Sequence, residues 1–79
     1  MKNNNLIQAR ENKNLTQEQL AVKLGKYGKQ TISNWENGRS IPRIEDAFLV
    51  SEILEVDFQF LFGIKVQDSH TENREKVTS

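Results

Sequence analysis

Residues 30–37, QTISNWEN, carry the side chains whose types and spacing bear most directly on chemistry. Wound as a helix, this stretch puts Ile32, Trp35 and Glu36 on one face, because residues three and four apart align. Gln30, Ser33, Asn34 and Asn37 fall on the other. The inward face then holds an acid, and the open face holds amides and hydroxyls with hardly any charge. Hydrogen bonding is the chemistry such a face offers. Catalysis is poorly provided for elsewhere: the chain has no cysteine, and its one histidine, His70, lies in a polar stretch. No glycine-rich phosphate loop is present, and no pair of acids stands on a common face. Without a second ligand near His70, no metal site and no cofactor are expected. Glu36 sets a requirement of its own, since an unpaired buried carboxylate is expensive and must find a partner.

For these side chains to share a face, the surrounding chain must be helical, and five helices and no strand can be placed. NNLIQARENKN brings Leu6, Ile7, Ala9 and Arg10 close together behind an asparagine cap. LTQEQLAVKLG follows, with Thr16 and Gln19 spaced as a capping box, an apolar set of Leu20, Ala21 and Leu24, and Gly25 as terminator. After KYG comes the helix described above, closed by Gly38. Pro42 leads into RIEDAFLVSEIL, where Ile44, Ala47, Phe48, Ser51 and Leu54 recur at helical spacing. DFQFLF forms a last short helix, capped by Asp57 and stopped at Gly63. Residues 1–63 thus make one domain, and 64–79 a polar C-terminal tail without an apolar face, expected to be flexible on its own.

Seventy-nine residues with 35% apolar content support one small core and no more. No apolar run approaches a membrane span, and the N-terminus lacks a signal-peptide core, so a cytoplasmic protein is expected. The net charge of zero conceals a division. Residues 1–43 carry eight Lys and Arg against three acids, net +5; residues 44–79 carry three against eight, net −5. A basic half joined to an acidic half suggests one face for a polyanion and another turned away from it.

Two short helices joined by a tight glycine-containing turn read as a helix-turn-helix, with Ala21 small enough for the crossing and Ile32 and Trp35 as anchors. Spacing alone leaves open an αα-hairpin with no DNA function. The combined run LTQEQLAVKLG, QTISNWENGRSIP and VDFQFLFG goes further. It resembles the phage repressor/Cro-type helix-turn-helix family across nearly all of residues 4–63. The resemblance implies an all-α, compact five-helix, lambda-repressor-like DNA-binding domain whose third helix lies in the major groove of double-stranded DNA, usually as a homodimer. Most such proteins are transcriptional repressors or regulators of bacteria or phages; a minority are antitoxins or co-activators.

Under this resemblance Lys29, Gln30 and Asn34 would read bases, with Ser33 beside them. Amide side chains suit the task, because Gln or Asn pairs bidentately with adenine in the major groove. Phosphate contacts would come from Gln17 in the first turn of the second helix, where free N–H groups favour an anion. Thr31, Asn37, Arg39 and Arg43 complete that set. Relatives commonly pair the glutamate with an arginine of the first helix, so the resemblance assigns Arg10 to Glu36 as a structural ion pair.

This chain departs from the pattern in places. The span from Gly25 to Ile32 is one residue longer than is usual, with KYGK absorbing the insertion and blurring the reading register by about one position. Tyr27 either reaches a phosphate or packs against the helix pair. Glu55 stands where relatives place glycine, which implies strain or a shifted helix end. Arg43 replaces a capping serine. Helices four and five also look too apolar for one core: Leu49, Ile53, Phe58, Phe60 and Phe62 cannot all face inward beside Phe48, Leu54 and Leu61. Leu49, Ile53 and Phe60 are read as a dimer surface, or as a dock for the tail through Ile64 and Val66. The leading function is sequence-specific DNA binding by a dimer on a near-palindromic operator, with repression favoured over activation because so small a protein can act by blocking polymerase. The competing class is a protein-interaction module, an antitoxin or co-regulator working through the apolar surface.

Overall fold

The computed structural model describes residues 2–63, and the expectations for the tail, including Ile64, Val66 and His70, lie outside the described residues. Among the described residues the regular elements are five helices: α1 (Asn4–Asn12), α2 (Gln17–Leu24), α3 (Lys29–Asn37), α4 (Ile44–Leu54) and α5 (Phe58–Phe62). Their ends follow from local chemistry. The Asn3 side chain accepts the Leu6 amide ahead of α1. Thr16 and Gln19 form a reciprocal capping box ahead of α2. Asp57 accepts the amides of Gln59 and Phe60 at the start of α5. Gly25 and Gly38 close α2 and α3 at φ +77° and +76°, where a side chain would be strained.

Each helix contributes a stripe to one core: Leu6 and Ala9; Leu20, Ala21 and Leu24; Ile32 and Trp35; Ala47, Val50 and Leu54; Leu61 and Phe62. Tyr27, Leu15, Ile53 and Val56 pack against its edge. The N-terminal segment fastens three elements together. The Asn3 amide nitrogen donates to the carbonyl of Glu36 at 2.8 Å, its side chain to that of Leu61 at 2.8 Å, and the Asn5 side chain to that of Phe60 at 3.0 Å. The carbonyls of α5 and the end of α3 are thereby satisfied from the start of α1.

One expectation needs correction, the inward stripe of α4, and of the two alternatives at Glu55 strain is the one seen. The buried stripe of α4 is Asp46, Ala47, Val50 and Leu54, which is rotated from the expected one. Phe48 is 51% exposed and meets Phe58 edge-on, ring centres 4.6 Å apart. Ser51 is half-buried, its hydroxyl donating to the Phe48 carbonyl at 2.7 Å. The rotation brings the Asp46 carboxylate to two hydrogen-bond donors, and Phe62 from α5 is the phenylalanine that joins the core. Glu55, at the end of α4, adopts the left-handed conformation at φ 59° and ψ 42°. The helix end has not shifted; the side chain accepts the strain, with its carboxylate 3.1 Å from Lys13.

Candidate nucleic-acid interface

α2 and α3 meet across the turn 25–28, and α3 is held by its inner face. Ile32, Trp35 and Glu36 are buried, so the residues between them are presented outward. Lys29 and Gln30 are exposed, and Thr31, Ser33, Asn34 and Asn37 are half-buried on the flanks. The amides order one another. Gln30 Nε2 donates to Asn34 Oδ1 at 3.1 Å, and Asn37 Nδ2 to Ser33 Oγ at 3.2 Å, each pair one turn apart on the helix. These bonds leave Gln30 Oε1 as an acceptor and Asn34 Nδ2 as a donor for an incoming edge.

Glu36 fixes the angle of this face. Its Oε2 accepts from Arg10 Nε at 2.6 Å, and its Oε1 from Arg10 Nη2 at 3.3 Å and Gln17 Nε2 at 2.9 Å. Arg10 Nη1 also donates to the Leu15 carbonyl at 2.7 Å. One carboxylate thus joins α1, the start of α2 and the end of α3. Gln17, assigned to phosphate by resemblance, is half-buried and turned toward Glu36. Its backbone N–H still stands in the first turn of α2, where the helix dipole favours an anion. Arg39 and Arg43 are exposed after α3, on the segment that leads into α4.

The turn 25–28 is held by an arrangement the sequence did not reveal. Asp46, 1% exposed, accepts from Lys26 Nζ at 2.8 Å and from the Tyr27 hydroxyl at 2.6 Å. Burial by itself pushes the Asp46 carboxyl up, but the hydrogen bonds from Lys26 and Tyr27 outweigh it and hold the group below the ordinary carboxylate value. The hydrogen bond to Asp46 raises both Lys26 and Tyr27 above their usual values. The Tyr27 ring packs edge-on against Trp35, centres 5.7 Å apart. Of the two roles open to Tyr27, packing is the one seen. The only signal was an acid one place before Ala47 on an apolar face, and nothing local linked it to residues twenty positions earlier.

The charge division persists within the described residues. All eight Lys and Arg of the basic half lie at 2–43, while 44–63 hold five acids and no Lys or Arg. Among the described residues no group of three or more His, Cys, Asp or Glu is placed to hold a metal. None of their helices is long and apolar enough to cross a membrane.

A helix-turn-helix family model matches residues 6–61, the whole span from the first core leucine to α5. The chain belongs to the Cro/C1-type helix-turn-helix family. Among relatives of this helix-turn-helix protein is the HTH-type transcriptional activator BcrR of Enterococcus faecalis, 38% identical over 78 residues. That alignment covers 95% of this chain and 37% of the relative, so the chain spans little more than a third of that protein's length. No solved structure matches the chain significantly. Within the helix-turn-helix, α2 and α3 are the two motif helices, and the amide-bearing side of α3 is the surface they leave open.

Proposed function

We propose that this chain is the DNA-reading domain of a transcription regulator, with α3 in the major groove and Lys29, Gln30, Ser33 and Asn34 on base edges. The observation that carries this is the orientation of α3: Ile32, Trp35 and Glu36 are buried, and the amide face is left outward. Major-groove edges differ for every base pair, and the free acceptor of Gln30 and free donor of Asn34 are the group types that pair with adenine N6 and N7. Thr31, Asn37, Arg39, Arg43 and the first turn of α2 would grip phosphates, contacts that position the helix without choosing a sequence. Gln17 takes part in this through its backbone N–H, its side chain being used on Glu36.

The working unit is a homodimer on a near-palindromic operator, with reading helices about 34 Å apart. Phe60 supports this. It is 55% exposed and lines a surface depression of about 680 Å³ that Trp35, Ile41, Pro42 and Phe62 also line. An exposed ring at a partly apolar depression, rimmed by Asn4, Asn5, Ser40 and Gln59, is the kind of patch that a second copy could cover in a two-fold interface. Leu49 is exposed and adds apolar surface on α4, whereas Ile53 is half-buried against the core and contributes only its edge.

Repression is the direction of control we infer, because occluding a promoter needs nothing beyond DNA contacts. Activation is the second reading, favoured by a relative that is a transcriptional activator and aligns with 95% of this chain, though with only 37% of its own length. The test is selection of binding sites from random duplex DNA, followed by affinity measured against salt. Enriched near-palindromes, with log Kd moving by about 0.9 per phosphate contact for each log unit of salt, are expected. Absence of enrichment, or binding indifferent to salt, would leave the apolar surface as the working one and make the chain a protein-interaction module.

A further inference from the structure

The Asp46 cluster contains none of the groups assigned to DNA, yet Asp46 itself is the least exposed charged residue described, at 1%. It grips the middle of the turn between the two motif helices. Gly25 and Gly28, at the ends of that turn, are not held by close packing, since a Cβ at either would meet nothing within 4 Å. α3 has no side-chain cap to fix its start, because Gly28 occupies that position. What locates the turn is its centre: Lys26 and Tyr27 both donate to Asp46 on α4, and the Tyr27 ring bears on Trp35 from α3. A continuous line therefore runs from α4 through Asp46, Tyr27 and Trp35 to the inner face of the proposed reading helix.

We propose that Asp46 is a positioning residue for base reading: by holding Lys26 and Tyr27 it sets where the N-terminal end of α3 meets the groove. This rests on the reading of α3 as the base-reading helix. The lever is sensitive. Gln30 lies five residues, roughly 7.5 Å, from Trp35 along the axis, so a tilt of about 10° at Trp35 displaces Gln30 by about 1.3 Å. Hydrogen bonds to base edges do not survive an error of that size, whereas contacts to phosphates tolerate it. Loosening the clamp should therefore cost discrimination before it costs binding.

The ratio of affinities for a selected site and for a scrambled duplex separates positioning from stability. A variant that only destabilises the fold lowers the folded fraction and weakens both affinities alike, leaving the ratio untouched. The experiment compares wild type, Asp46→Asn, Lys26→Met, Tyr27→Phe and, as a core-destabilised control, Val50→Ala, where circular dichroism shows each to be folded. Asp46→Asn should lower the ratio about tenfold, Tyr27→Phe and Lys26→Met several-fold, and Val50→Ala not at all. If Asp46→Asn does not fold, the two turn variants carry the test. Unchanged ratios in the clamp variants, or an equal fall in Val50→Ala, would overturn the proposal while leaving base reading intact. A wild-type ratio of one would instead refute base reading, and the positioning role with it.

Discussion

Glu36→Gln removes the charge from the carboxylate that joins α1, α2 and α3 while keeping its size. Glu36 is 2% exposed and accepts bonds at 2.6, 2.9 and 3.3 Å from Arg10 and Gln17. After the substitution the Arg10 guanidinium, its side chain 12% exposed, remains with no countercharge. The new amide also turns a donor toward groups that are themselves donors. Removing one partner of a buried ion pair costs about 3–5 kcal/mol. Glutamine retains one acceptor oxygen, which favours the low end, about 3 kcal/mol. In a domain of this size each kcal/mol shifts the melting temperature by about 4–8 °C, so the fall should be about 12–24 °C. Total stability for so few residues is roughly 3–9 kcal/mol, so the loss is a large part of it. Thermal unfolding followed by circular dichroism measures it. A double-mutant cycle with Arg10→Met should give a coupling of at least about 1 kcal/mol. A melting temperature within about 4 °C of wild type, or additive single effects, would refute the account of Glu36 as the joint.

Three further outcomes are expected. Glu55→Gly should raise stability by about 0.5–1 kcal/mol, because glycine relieves the left-handed strain and only an exposed ion pair is lost; a lower urea midpoint at unchanged slope would contradict it. Asp46 titrates below its ordinary value in the fold, so its contribution is complete above the unfolded value of about 3.9 and is lost as pH falls through the lower folded one. Urea midpoints at about pH 5 and about pH 2 should accordingly fall further for wild type than for Asp46→Asn, and equal falls would remove the clamp from the acid response. Phe60→Lys, at a largely exposed position, should change stability by no more than about 0.5 kcal/mol yet abolish dimers on DNA; cooperative two-site binding that persists in gel-shift titrations would move the interface elsewhere.

What could be read in advance was whatever depends on neighbours in the chain. Asn3, Thr16 with Gln19, Gly25, Gly38 and Asp57 mark helix ends through bonds that span two to four residues, and the inner face of α3 follows from a strong period. The rest depended on where helices meet. α5 has five residues, too few for periodicity to choose between Phe60 and Phe62, and its placement involves distant partners, among them the Asn3 and Asn5 side chains bonded to its carbonyls. Phe48 looked internal by spacing; the buried stripe of α4 is instead turned toward Asp46 and Val50. The Asp46 clamp joins residues about twenty positions apart, and the inward turn of the Gln17 side chain depends on Glu36 at a similar separation.

The most direct measurement is base-by-base discrimination by Gln30→Ala, Asn34→Ala and Arg39→Ala on the selected site and on each of its single-position variants. The two amide variants should lose about 1–3 kcal/mol of preference at particular positions, and Arg39→Ala should weaken every sequence alike. Uniform weakening by all three, with preferences intact, would mean that the outward face of α3 does not read bases.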